Sequence, residues 1–413
     1  MSASRITVLL AGLGVFPVTL DSAVNIAFPA ISAAFGRPVS AIQWVVIAYV
    51  LTDACLLLPA GWLADRSGHH RVFVLGLALT AAAFLLCGGA PAFGWLLGGR
   101  VLQGVGAALI FGSAPALVTL ASRDAERQRA LGWFNLAFGA GAVLGPLAGG
   151  ALVTAWGWRA VYLTRLPLAL AALVLVWRAR PRELPGPTRM EAPPTAHAVA
   201  DRRTFVVANA VNVLANGALF FVWLLVPYYL LERRGLGAGP GGVLFAAGAL
   251  ATALGAPAGG LWADRRGARR LVPVALGAEA VGLLLTSRLD ATSSPVAIAL
   301  ALLLAGGGVG LFAAPNMHYV MGALPRARQG WAGSLVVLMR RGGIVTGAGL
   351  ATFVYEGRLA LYRGLGAAEA DATARAFTDA FLVASAIAAT AAGLSLIPPA
   401  VRRDRLGASR GRI

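Results

Sequence analysis

The chain has 413 residues, of which 58% are hydrophobic and only 13% charged, and its mean hydropathy is +0.75. Soluble domains carry about 25% charge, so this chain cannot cover its surface in water; at about 20 residues per span it has the length for roughly a dozen bilayer crossings. All 35 basic residues are arginine, which excludes a G-x-x-x-x-G-K-[ST] phosphate loop, and with it a coupled ATPase, and any Schiff-base lysine.

The apolar runs are 6–31, 42–64, 72–91, 93–121, 130–154, 159–177, 204–231, 240–263, 271–287, 295–321, 331–355 and 377–399. The first follows Arg5 and reads as an uncleaved span rather than a leader. With the N-terminus inside, most loop arginines fall on the cytoplasmic side, while Arg100, Arg165, Arg340 and Arg341 lie within spans. The formal charge of +18 is therefore a topology signal rather than a nucleic-acid surface. The longest break, 178–203, is rich in Arg and Pro and separates six spans from six. Cys55 and Cys87 sit in apolar runs and the four histidines are scattered, so no disulfide framework, metal site or cofactor is expected. No nucleophile–base constellation suggests an enzyme.

In chain order, the first span carries Asp21 and Asn25 and the second carries Asp53. The second ends in GWLADRSGHHR at 61–71, which returns 199 positions later as GLWADRRGARR at 260–270. A charged, glycine-broken tether repeated half a chain apart points to two related membrane bundles. The fourth span holds RVLQGVGAAL at 100–109, with Gln103 one turn from Arg100. The fifth has a small-residue ridge, GAGAVLGPLAGG at 139–150, and the sixth begins near WGWRAVYLTRLP at 156–167. In the seventh, Asn209, Asn212, Asn216, Phe220 and Trp223 share one helical face. In the tenth, Phe312, Asn316 and Tyr319 do the same. A polar face in lipid must look at protein or a water-filled cavity. Glu279 is a further mid-span acid, in the ninth run, and MRRGGIVTGAG at 339–349 lies in the eleventh.

These motifs, in this order and over nearly the whole chain, resemble the major facilitator superfamily, most of all its drug:proton antiporter group. VNIAFP at 24–29, QWVVIAY at 43–49 and MRRGGIVTGAG resemble the 14-span exporters, although the span count here is twelve. Two departures stand out. Asp21 is four residues before Asn25, where the family's acid is usually five before. Arg165 stands where relatives commonly have Asn.

The resemblance implies roles for particular residues. Asp65 and Arg66, with Gly61, Gly68 and Arg71, and the mirrored Asp264 and Arg265, are expected to form a conformational latch, with Arg340 fixing the eleventh helix. Asp21, then Asp53, is the expected proton carrier, with Arg100 as its coupling partner. A carboxyl held inside the bilayer is costly when ionised and can exchange a proton with the solvent. The first, fourth, seventh and tenth helices are expected to line the cavity, which adds Asn25 and Gln103 to the two stripes. Gly141, Gly145, Pro146, Gly149 and Gly150 correspond to the antiporter motif of exporters.

The expected protein is all-helical, with bundles at 1–178 and 204–400, a cytoplasmic linker at 179–203 and a basic cytoplasmic tail at 401–413. It sits in the cell (inner) membrane with both termini cytoplasmic, as a monomer, without nucleic-acid partners. It is expected to exchange protons for small amphipathic or cationic compounds, with Asp21 as charge partner. The alternatives are a proton symporter importing a sugar or metabolite, a dedicated exporter of one metabolite, and a non-transporting receptor or scaffold on the same fold.

Overall fold

The computed structural model describes residues 3–121, 127–179, 202–323 and 329–397. Among them every regular element is helical, and twelve helices are long and apolar enough to cross a membrane. They are α1 (Leu9–Ile26), α2 (Val39–Ser67), α3 (His69–Gly88), α4 (Phe93–Thr119), α5 (Leu136–Trp156) and α6 (Ala160–Ala179), followed by α7 (Arg202–Arg233), α8 (Ala238–Arg266), α9 (Ala268–Ser287), α10 (Pro295–Met321), α11 (Gly333–Gly364) and α12 (Glu369–Ser395). The expected linker, from 180 to 201, and the expected tail lie outside the described residues.

The largest shift from the apolar pattern is around 355–377. There α11 continues past its apolar stretch through Glu356, Arg358 and Arg363, and α12 begins at Glu369. Helical hydrogen bonding does not stop where hydropathy does. Gly366 (φ +79°) turns the chain, and Arg363 pairs with Glu369 across the turn.

Within the first six helices the main packings are α2 on α4, α3 on α4, α1 on α5 and α3 on α6. Each recurs six helices later, as α8 on α10, α9 on α10, α7 on α11 and α9 on α12. The helices approach closely at small residues, as membrane packing favours. A Cβ on Gly104 would meet the Tyr49 carbonyl of α2 at 2.7 Å, and one on Gly310 would meet the Thr252 carbonyl of α8 at 2.5 Å. The two repeated motif loops turn alike, on Gly68 (φ +92°) and Gly267 (φ +85°), a region open to glycine and costly for other residues.

The two most extensive packings that join the halves are α5 on α8 and α2 on α11. They meet tightly at the end remote from the motif loops. There the Ser40 N–H donates to Glu356 Oε1 at 2.7 Å, and the Gly239 N–H donates to Thr154 Oγ1 at 2.9 Å. Gly150 and Gly242 face one another across the same seam, where a Cβ on Gly150 would lie 3.1 Å from the Gly242 Cα.

Candidate transport site

The site begins with a flaw in a helix. α1 tightens to 3-10 geometry over Leu20–Ser22, and the Ala23 N–H turns back onto the carbonyls of Leu20 and Asp21. A 3-10 residue advances about 120° against about 100° in an α-helix. The tightening therefore takes up part of the one-residue displacement of Asp21 relative to Asn25. The fifth-span ridge holds this segment: Ser22 Oγ donates to the Ala142 carbonyl at 3.0 Å. Gly141, Gly145 and Gly149 lie against Thr19, Ser22 and Ala23, so close that a Cβ on Gly145 would collide with Ser22 Oγ. Pro146 and Gly150 face the other way, onto α8 at Gly242. One ridge thus grips the acid-bearing turn on one side and the opposite half on the other.

Asp21 is the hub of a charge cluster. Arg100 of α4 holds it bidentately, Nη1 donating to Oδ1 at 2.7 Å and Nη2 to Oδ2 at 2.8 Å. Gln103 Nε2 donates to Oδ1 at 2.9 Å, and Arg165 Nη1 of α6 adds a further bond to Oδ1 at 3.0 Å. Arg100 is itself fixed by donating Nε to the Val45 carbonyl at 2.6 Å and Nη1 to Gln103 Oε1 at 2.8 Å, with Tyr49's ring 4.5 Å from its guanidinium. Arg165 donates Nε to the Val161 carbonyl at 2.8 Å and rests on Phe84 and Tyr162 at 4.5 and 5.1 Å. Charges buried like this persist only when paired and hydrogen-bonded. Arg100 is 1% exposed, whereas the Asp21 side chain keeps 16% of its surface open.

Asp53 is fully buried on α2 and forms an ion pair with Arg341 of α11, so it bridges the halves. The Arg341 guanidinium lies 5.6 Å from the Phe111 ring. Its neighbour Arg340 is exposed. On α11 the face toward α7 is marked by Val336, whose carbonyl receives Asn212 Nδ2 at 2.9 Å, and by Gly343 and Gly347 against Val213 and Gly217. At 100° per residue, Arg340 stands beside that face on the side of Arg341. It therefore projects between α7 and α2, toward the gap between the halves.

The asparagine stripe is buried. Asn209 Nδ2 donates to the Phe205 carbonyl at 2.8 Å, and Asn216 Nδ2 to both the carbonyl and Oδ1 of Asn212 at 2.9 Å. Phe220 lies in the core and Trp223 packs edge-on to Phe245 of α8 at 5.1 Å. Phe312 is buried against α7 and α9, while Asn316 and Tyr319 line a small cavity of about 40 Å³ within the second half. Asn25 is half-buried on α1, and Glu279 is enclosed in the second half with neither oxygen hydrogen-bonded to a described residue.

In the first motif loop Asp65 pairs with His69 at 3.4 Å, Arg66 covers Trp62 at 3.8 Å, and Gly61 stands opposite Gly112 of α4. Arg71, Asp264 and Arg265 are exposed. The structure therefore assembles Asp21, Gln103 and Arg100 in one cluster, with Asp53 and Arg340 at the gap, and leaves the α7 and α10 stripes packed within the second half. Sequence reasoning gave no role to Arg341, Tyr49, Ser40, Glu356 or Thr154. Arg341 carried a signal, an arginine inside an apolar span, but its partner Asp53 lies half a chain away.

The same architecture recurs in solved structures. A bacterial homolog of the human lysosomal transporter Spinster, in an inward-facing and occupied conformation, aligns with a TM-score of 0.79 at 18% identity, over 95% of each chain. The nucleoside transporter NupG (D323A mutant) aligns with 0.73 at 12% identity, over 95% of this chain and 99% of that one. By sequence, the chain is 26% identical over 390 residues to the riboflavin transporter RibZ of Clostridioides difficile, covering 82% of this chain and 86% of that protein. It is 37% identical to the methylenomycin A resistance protein of Bacillus subtilis over 188 residues, covering 45% of this chain and 40% of the relative. It is also 37% identical to the multidrug resistance protein Stp of Mycobacterium tuberculosis over 172 residues, covering 41% and 32%. The match thus spans less than half the length of either resistance protein. The Major Facilitator Superfamily model matches residues 10–348 and 208–406. Twelve helices in repeated order, a buried carboxylate–guanidinium cluster where they meet, and that match lead to one conclusion: the chain belongs to the Major Facilitator Superfamily.

Proposed function

We propose that this transporter exports small amphipathic compounds in exchange for protons, from a cell membrane in which both termini face the cytoplasm. The observation that carries this reading is the bidentate Asp21–Arg100 pair, with its carboxylate edge open. A proton arriving on Asp21 removes the charge that holds Arg100 and Arg165, and a neutral carboxyl accepts far less strongly from a guanidinium. Because Ser22 is tied to α5 and α5 to α8, loosening Asp21 acts on the seam between the halves. The contacts Ser40–Glu356 and Thr154–Gly239 then open, and those at the motif-loop end close, with Asp65 and its mirror Asp264 as latch. The 1–178 and 204–400 bundles act as the two rocking bodies, and a single chain carries the complete pathway.

A second reading, a transporter dedicated to one metabolite, is favoured by a particular finding: the riboflavin transporter aligns along most of both chains, whereas the resistance proteins align over less than half. A growth-inhibition panel in a pump-deficient host separates the two. Under the export reading the wild type protects against several compounds, and Asp21→Asn and Arg100→Ala abolish the protection. Both variants protecting as well as wild type would sink the coupling assignment. Protection against nothing in a broad panel turns the choice to the dedicated transporter. Reversing an imposed proton gradient in vesicles distinguishes antiport from symport.

A further inference from the structure

The charge that the central face presents bears on what it binds. Asp21 accepts four hydrogen bonds, three on Oδ1 and one on Oδ2, from Arg100, Gln103 and Arg165. An ionised carboxylate has about four lone-pair sites, and its single charge is already held by two guanidiniums, which leaves little for a cation. One negative charge there faces two guanidiniums, and Arg165 Nη2 is buried with no acceptor among the described residues. Across the gap Asp53 is committed to Arg341, and Arg340, exposed and projecting between α7 and α2, faces no carboxylate among the described residues. Tyr49 lies within electrostatic reach of Asp21, Arg100, Arg165 and Arg341 alike, which makes these one neighbourhood rather than separate pairs. Three guanidiniums share two carboxylates, and Arg340 adds a fourth positive charge on α11.

We propose that the central face binds an organic anion, specifically an aromatic or amphipathic monocarboxylate. A guanidinium fork matches the geometry of a carboxylate, and buried cations without counter-charge are costly. Arg340 receives the carboxylate at the gap, and Arg165 supplies the unsatisfied donor beside Asp21. The rings that back these charges, Tyr49, Phe84, Phe111 and Tyr162, give an apolar body somewhere to lie. This replaces a cation held by Asp21 as the expected cargo, and it rests on the reading of the cluster as the transport site.

The test is binding to the purified protein in detergent, by calorimetry and thermal shift, of three probes that share one ring system: 1-naphthoate, its isostere 1-naphthamide, and 1-naphthylmethylammonium. The carboxylate is expected to bind at least tenfold more tightly than the ammonium. Arg340→Gln and Arg165→Gln, each compared at matched amounts of folded protein, are expected to weaken naphthoate about tenfold and leave the amide unchanged. Asp21→Asn, which removes the competing carboxylate, is expected to tighten naphthoate, an effect that a merely structural role does not produce. Preference for the ammonium, binding of none of the three, or naphthoate affinity unaltered in Arg340→Gln overturns the proposal. Binding in detergent needs neither gradient nor direction. Failure of proton-driven export in vesicles therefore leaves this result standing, and failure of naphthoate binding leaves export of neutral or cationic compounds open.

Discussion

The two halves share a scaffold and differ in what it holds. Helix for helix their packings correspond, and Gly68 and Gly267 turn the two motif loops with nearly the same backbone. In the first half the interior carries ions: Asp21, Arg100 and Arg165 on α1, α4 and α6. The equivalent interior of the second half carries neutral amides, Asn212 and Asn216 on α7 and Asn316 on α10, and a lone Glu279 on α9. A neutral amide hydrogen bond is satisfied in one geometry and stays satisfied, whereas an ion cluster changes its bonding when a single proton arrives. Repetition accounts for the frame, and the buried ions are where the halves diverge: the first carries a three-residue charge cluster, the second brings Arg340 and Arg341 of α11.

That contrast breaks most severely at Arg100. Arg100→Ala leaves Asp21 with Arg165 and Gln103 alone and empties a fully buried volume. Removing one partner of a buried pair costs about 3–5 kcal/mol, so the variant is expected to lose transport entirely and to melt markedly lower in detergent. Arg100→Lys keeps the charge but not the fork and should recover folding better than transport.

Among the described residues, the Asp53–Arg341 pair is the one ion pair that links the two halves. Asp53→Asn leaves Arg341 uncompensated and is expected to cost about 3 kcal/mol. The exchange Asp53→Arg with Arg341→Asp should restore most of that. A double-mutant cycle showing no coupling would mean that the halves touch there without holding one another.

Much of this was legible in the residues, and the boundary is physical. Span number follows from hydropathy because a bilayer imposes a length, and the repeated motif loops follow from glycine because a positive φ demands it. The cluster was half legible. Arg100 and Gln103 are one turn apart and announce a shared face, and Asp21 is conspicuous in an apolar run. That Asp21 points at them depends on a 3-10 turn, and a one-residue change in hydrogen bonding leaves no compositional mark. Arg165 was visible as an oddity without a partner, because its partner is 144 residues away. The stripe on α7 illustrates the opposite limit. Its periodicity marks a common face, but not what each residue on it meets: Asn212 reaches α11, Trp223 packs on α8 and Asn209 bonds within α7.

The matched loop glycines sharpen the comparison at smaller cost. With nothing within 4 Å of a Cβ at either position, Gly68→Ala and Gly267→Ala differ from wild type only in backbone strain, about 1–3 kcal/mol each. Thermal unfolding is expected to fall equally in both. Their transport should not, if the latch of the ionic half governs the cycle. Gly68→Ala is then expected to slow transport more than Gly267→Ala, and equal slowing would make the two loops functionally alike.

The smallest expected effect tests whether the second half is only a counter-surface. Asn212 ties α7 to α11 through the Val336 carbonyl and also accepts from Asn216, whereas Asn209 bonds within its own helix and its Oδ1 has no partner among the described residues. A neutral hydrogen bond is worth about 1 kcal/mol net, so Asn212→Ala should lower stability by about that much, and Asn209→Ala by less. If these amides serve packing, transport measured at matched amounts of folded protein is unchanged in both. A transport loss in Asn209→Ala without a matching loss of stability would place that amide against the cargo, because its Oδ1 accepts no hydrogen bond from a described residue. The part of the second half that meets the cargo would then extend from Arg340 on α11 to α7.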